Sequence, residues 1–316
     1  MEFDLLRRLG NLYIEEKDFV AGLDALRQAV IFFPNNLFAR EVSKEMTEQF
    51  AKIYTDGIAD SMTPLTALSL YDQFRELTPV GRRGDRIIQR LADRLVQVDL
   101  LDRAAILLDR QVRFRLQGVS KARVGSRLAL IRLLDRQPEK ALEALDESVA
   151  PGMDAKLATQ RKRLRARAIF ELGDSETALK LLKADTSRDA ELLRADIYWR
   201  TQEWANAGKV FEQLVGNAGQ DGRRIDDRTA TLILNWSVTL SMTDDFNQLN
   251  RVRQIYTQQM DGTPYREAFR LITNRTEGDL NDFRTLTARF EEIGWFQAFL
   301  SSYRDKLKDQ PLSAVN

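Results

Sequence analysis

Apolar and polar positions alternate along this chain with a helical period. Between residues 6 and 34 the pattern reads Leu6, Leu9, Gly10 and Tyr13, then a polar break at Glu15-Glu16-Lys17-Asp18, then Phe19, Gly22, Leu26, Ala29 and Pro34. Recurrence every three or four residues marks one face of a helix. The stretch therefore predicts two amphipathic helices joined by a few polar residues, an antiparallel pair. A small residue where the two meet lets the backbones approach closely, and the proline stops the second helix.

The small residue opening the second helix serves as a ruler for the rest of the chain. Gly22 is followed by Ala67, Ala104, Ala141, Ala178 and Ala207, at steps of 45, 37, 37, 37 and 29. Three equal steps in a row indicate an internal repeat. The residue four after the ruler is always large and apolar: Leu26, Tyr71, Leu108, Leu145, Leu182 and Phe211. Three before it stand Phe19, Leu101 and Trp204, or a proline, Pro64 and Pro138, at the first helical turn, where no N–H is needed. A small residue also recurs on the first helix, at Gly10, Ala92, Ala129, Ala166 and Ala195.

This pattern predicts helix pairs at 3–15 with 18–33, 37–60 with 64–77, 84–98 with 101–116, 120–135 with 138–149, 154–171 with 174–184, and 188–201 with 204–215. The glycine-rich polar stretch 217–224 reads as a break or linker over about 217–225. Beyond it, 226–316 reads as divergent helical repeats with a C-terminal cap. Helices are expected over 227–242, from Asp244 through Tyr256, and near 265–275, 279–292 and 295–308, the last rich in aromatics at Trp295, Phe296, Phe299 and Tyr303. No segment shows strand alternation.

The Leu9-Gly10, Tyr13, Gly22 and Pro34 set resembles the tetratricopeptide repeat, a 34-residue helix–turn–helix unit. The resemblance covers about residues 3 to 215 and is fullest in the first unit. It implies an all-α fold, an α-solenoid of about six antiparallel pairs over 1–216 in a right-handed stack. It also implies a non-catalytic module that holds a peptide or helix of another protein in its concave face. A second reading is a regulatory or scaffolding helical segment of a larger, envelope-associated protein whose activity lies elsewhere.

Composition narrows the chemistry. Lys plus Arg number 48 and Asp plus Glu 47, so net charge gives no reason to expect nucleic acid or membrane. Cysteine and histidine are absent, which excludes disulfides, Cys/His zinc sites, and Cys–His and Ser–His–Asp nucleophile systems. No phosphate-binding glycine loop appears, and no cofactor or metal is expected. The apolar runs are too short to span a bilayer. With no targeting segment, the expectation is a soluble cytoplasmic or periplasmic protein, or a soluble fragment of a longer chain.

In the resembling family, first-helix residues one turn either side of the small residue point into the groove. Carried onto this sequence, these positions include Arg7, Arg8 and Asn11, with Lys52, Arg86, Arg90, Arg123, Arg127, Arg163 and Arg167 from later units. Residues 81 to 135 hold 13 basic against 6 acidic residues. Arginine forks suit carboxylates, so an acidic peptide is the expected partner; self-association is a further expectation. The competing reading is a solvated face crossed by salt bridges to Asp56, Asp93 and Asp109. Reversing Arg127 and Arg163 is expected to remove capture without unfolding the chain. The run from Arg161 to Arg167 points all round its helix and lacks aromatic interleaving, which argues against nucleic acid. Tyr198, Trp204 and Phe211 fall on core positions, whereas Trp199 is expected to face the groove. Asp226-Asp227 and Asp244-Asp245 read as helix N-terminal caps.

Overall fold

The computed structural model describes residues 1–219 and 223–274. The helices expected at 279–292 and 295–308, with Trp295, Phe296, Phe299 and Tyr303, lie outside them. The protein is all-α: the described residues form fifteen α-helices and two short 3₁₀ segments, with no strand among them. The chain divides into two compact units, one over Met1–Met153 and one beginning at Asp154.

The first unit contains α1 (Glu2–Glu15), α2 (Phe19–Phe32), α3 (Ala39–Thr55), α4 (Pro64–Gln73), α5 (Arg82–Gln97), α6 (Leu101–Phe114), α7 (Gly118–Leu134) and α8 (Pro138–Glu147). Most helices adjacent in sequence pack together, most closely α1 with α2, α5 with α6, α6 with α7, and α7 with α8, whereas α3 packs on α2 and α5, and α4 on α5. Small residues make this possible. A Cβ on Gly10 would lie 2.9 Å from the Gly22 carbonyl oxygen, and one on Gly22 would lie 2.9 Å from the Gly10 carbonyl oxygen. Both backbones would have to move. Ala92 and Ala104, and Ala129 and Ala141, hold the corresponding places and are fully buried.

The α3–α4 pair is built differently. The expected helices at 37–60 and 64–77 each break early: α3 ends at Thr55 and a 3₁₀ turn spans Ile58–Ser61, while α4 ends at Gln73 and is followed by 3₁₀ residues Arg75–Leu77. Gly57, in the left-handed region at φ 84°, turns the chain out of α3. Phe50, Tyr54 and Tyr71 stack with ring centroids 5.1 to 6.2 Å apart. The Tyr54 hydroxyl donates to the Ala67 carbonyl at 2.8 Å. Aromatic bulk occupies the space that close backbone contact fills in the other pairs.

The second unit contains α9 (Ala155–Glu171), α10 (Ser175–Leu182), α11 (Arg188–Arg200), α12 (Trp204–Val215), α13 (Asp227–Met242), α14 (Phe246–Met260) and α15 (Arg266–Thr273). Ala178 and Ala207 of the ruler, and Ala166 and Ala195 of the first-helix series, are completely buried. The stretch 217–224 joins α12 to α13, and the two helices pack directly on each other. Their shared core runs from Trp199 and Phe211 through Ile233 and Leu249 to Tyr256 and Phe269.

The tight turns share one device. Lys17, Asp99, Arg136, Gly173, Gln202 and Asp244 all have positive φ, between 54° and 95°. Each stands five residues before the buried crossing residue: Gly22, Ala104, Ala141, Ala178, Ala207 and Leu249. Left-handed backbone costs a side-chain-bearing residue about 1–2 kcal/mol, whereas glycine adopts it freely but loses more chain entropy on folding. Lys17→Gly and Gln202→Gly are therefore each expected to stabilise the protein by roughly 0.5–1 kcal/mol, and Gly173→Gln to destabilise it by about as much. Urea denaturation of the three variants checks the signs.

Candidate binding surface

The first helices of the pairs carry the basic column, and the structure separates its members into two groups. The first group is consumed internally. Arg7 on α1 reaches across to α3, contacting Glu41 at 3.0 Å and also Glu45. Arg90 on α5 pairs with Asp60 and donates to the Tyr54 carbonyl at 3.3 Å. Arg127 on α7 meets Asp93 on α5 at 3.2 Å, with side chains only 11% and 8% exposed. Burial pulls the Arg127 guanidinium below its usual value against the opposing pull of Asp93. In the second unit, Arg163 on α9 donates to Ser187 Oγ at 2.9 Å and to Asp185 at 3.2 Å. Burial pushes Asp185 upward, but hydrogen bonds from Ser187 and the charge of Arg163 outweigh it, and the carboxyl ends below its ordinary value.

Arg167 is the most deeply placed. It pairs with Asp196 on α11, the two side chains being 2% and 3% exposed, and contacts Glu171. Arg200 on α11 returns to Glu171 at 3.0 Å and lies 4.6 Å from the Phe170 ring centre. Desolvation raises the Asp196 pKa despite Arg167 and Arg200 beside it. These arginines staple neighbouring first helices to one another: α1 to α3, α5 to α7, α9 to α11.

This geometry corrects two expectations. A glutamate at position 127 would face Asp93 in a largely buried site, and one at 163 would face Asp185 and Asp189. Reversal of those two charges would break internal pairs rather than leave the fold intact. Trp199 also does not face a groove. It is 3% exposed, with its ring edge-on to Trp204 at 5.2 Å and to Phe211 at 6.0 Å. Its place one helical turn after Ala195 did not turn it outward, because α12 places two aromatic rings against it.

The second group consists of Arg8, Lys52, Arg86 and Arg123, none of which has an ion-pair partner among the described residues; Arg8, Lys52 and Arg86 are exposed, and Arg123 is half-buried. Asn11 is half-buried. Arg86 and Arg123 each stand 18 residues before a crossing alanine, Ala104 and Ala141, on the two helices stapled by Arg127 and Asp93. The run from Arg161 to Arg167 points all round α9: Arg161 and Arg167 are buried, Lys162 is exposed and Arg163 and Arg165 are half-buried. Asp226 and Asp245 cap α13 and α14, accepting from the Thr229 and Gln248 N–H groups at 2.8 and 3.0 Å.

Sequence reasoning missed several groups. Arg83 forms a two-pronged bridge to Glu48 at 2.6 and 2.9 Å, and Arg94 donates to the Ala59 and Met62 carbonyls, both at 2.7 Å. Their partners lie 32 to 35 residues away, beyond any local pattern. A cleft of about 260 Å³ between α12, α13 and the start of α14 is lined by Trp204, Gly208, Glu212, Trp236 and Gln248. Trp204, expected in the core, packs half-buried against it and also forms part of this wall; Tyr198 is likewise half-buried against the core. Among the described residues there is no acidic cluster that could hold a metal ion and no helix long and apolar enough to cross a membrane. No family model matches the chain, and no curated protein matches its sequence.

Proposed function

We propose that the chain is a non-catalytic interaction module, an α-solenoid of tetratricopeptide-like helix pairs that holds an acidic peptide or helix of another protein on its first-helix face. The observation that carries this reading is the division among the first-helix cations. Arg7, Arg90 and Arg127 neutralise carboxylates of the fold itself. Arg86 and Arg123 keep their charge available at one register on neighbouring helices of the first unit. Two forks so placed suit successive carboxylates of an extended or helical acidic segment. Lys52 and Arg8 add positive potential on the same series of helices. The recurrence of buried small residues at the pair crossings supports the repeat reading, since each pair buries its apolar face only against its neighbours.

The test uses a fluorescent Glu/Asp-rich peptide and the full chain. Binding should weaken steeply as ionic strength rises, because exposed charges are screened over a Debye length of about 8 Å at physiological salt. Arg86→Glu with Arg123→Glu should abolish it while leaving the thermal melt unchanged. Binding that ignores both salt and the double reversal would refute the assignment.

A further inference from the structure

The outward face of α1 carries a stripe of large apolar side chains. Leu5 and Leu12 are 67% and 53% exposed, and Leu9 and Tyr13 are more than a third exposed. They recur at spacings of four, three and one along the helix, opposite the face on which Phe3 and Gly10 are buried. Scattered surface leucines need no explanation, but a continuous stripe on one helix does.

The repeat register says what such a stripe is for. Taking the small residue of the first helix as origin, Gly10 corresponds to Ala92 on α5 and Ala129 on α7. Leu5 and Leu9 then correspond to Ile87 and Leu91, and to Val124 and Leu128; Leu12 corresponds to Ile131 on α7. All five counterparts are at most 3% exposed. There α5 lies against α3 and α4, and α7 lies against α6. On α5 the place of Leu12 is taken by Arg94, which donates to the Ala59 and Met62 carbonyls, so this face of α5 meets the chain that precedes it. On α1 the same positions keep leucine with no helix of the described residues over them.

Charge identifies the occupant further. Glu2 and Glu16 bound the stripe at its two ends, and Asp4 and Glu15 lie along one edge. Against these four exposed carboxylates stand Arg8, Lys17 beyond Glu16, and the Met1 ammonium, which pairs with Asp4 at 3.3 Å and leaves Glu2, among the described residues, as the free carboxylate at that end. A second copy packing α1 on α1 would bring acidic ends together in either direction. We propose that this face docks an amphipathic helix of a partner protein, apolar along its middle and carrying Lys or Arg at both ends. The apolar contact would supply the cover that the equivalent positions of α5 and α7 already have within the fold, and the basic ends would meet Glu2 and Glu16. The surface is separate from the cations of α5 and α7 and does not depend on their function.

The probe is a synthetic amphipathic peptide of about 20 residues, long enough to form a helix on binding, with leucines at three- and four-residue spacing and lysines at both ends. Its binding to the full chain is followed by fluorescence anisotropy. The wild type should bind it at least about tenfold more tightly than a peptide with glutamates at its ends. Leu9→Ser with Leu12→Ser should weaken binding by at least about tenfold. Glu2→Lys with Glu16→Lys, at exposed sites that leave packing unchanged, should remove the preference between the two peptides. Circular dichroism and a thermal melt like those of the wild type accompany each variant. No binding, or equal binding by wild type and both variants, would overturn the proposal. So would a wild-type dimer that the Leu9→Ser, Leu12→Ser variant converts to monomer, since the face would then belong to a second copy.

Discussion

Replacing Asp196 by alanine is expected to cost about 3–5 kcal/mol of stability, the usual loss when one partner of a buried ion pair is removed. The Arg167 guanidinium would keep Glu171 but would lie, 2% exposed, without the carboxylate that faces it on α11. Replacing both partners, Arg167→Met with Asp196→Leu, should cost far less than the single change. The reason lies in the direction of the Asp196 shift: desolvation raises its pKa, so the folded state does not fully compensate the buried charge. A carboxyl raised on folding contributes its stability fully below its unfolded pKa and loses it as pH rises through the folded value. The wild type should therefore gain stability relative to the double variant as pH falls toward the ordinary carboxylate range. Urea denaturation of the single and double variants at neutral and acidic pH measures all three effects. A single variant as stable as the wild type would contradict the pair's role.

The second large effect belongs to the helix crossings. Ala104→Leu, Ala141→Leu and Ala178→Leu should each destabilise the protein by about 1–3 kcal/mol through overpacking. All three alanines are completely buried, and a leucine adds three carbon atoms where the neighbouring helix already stands. Gly22→Ala should also destabilise, since its Cβ would meet the Gly10 carbonyl oxygen at 2.9 Å. Thermal or chemical denaturation that finds these four variants indistinguishable from wild type would place the crossings elsewhere.

The crossings were legible because they obey a local rule with a fixed period. Where a helix pair closes by direct backbone approach both side chains are small, and that leaves an alanine at 37-residue steps from Ala104 through Ala141 to Ala178. The pair α13 and α14, with Leu249 at the same place, shows that a larger residue is accepted where the helices stand further apart. The turns were only half legible. Lys17, Asp99, Arg136, Gln202 and Asp244 adopt the left-handed conformation without being glycine, so only Gly173 announces itself. The α3–α4 pair escaped because its spacing is set by three aromatic rings, and aromatic residues at helical spacing look the same whether they separate helices or join them.

The charged face was legible in position but not in role. Which arginines are spent depends on carboxylates 22 to 38 residues away, as with Arg163 to Asp185 and Arg7 to Glu45. Nothing near Arg127 in sequence distinguishes it from Arg123, yet one is paired with Asp93 and the other is not. The burial of Trp199 was hidden for the same reason: the rings that cover it come from α12.

The most direct measurement is photo-crosslinking of the acidic peptide to the full chain, with the modified residues located by mass spectrometry. The account predicts adducts on α5 and α7, close to Arg86 and Arg123, that disappear when both are reversed to glutamate. Adducts confined to other helices, or unchanged in the reversed variant, would contradict it.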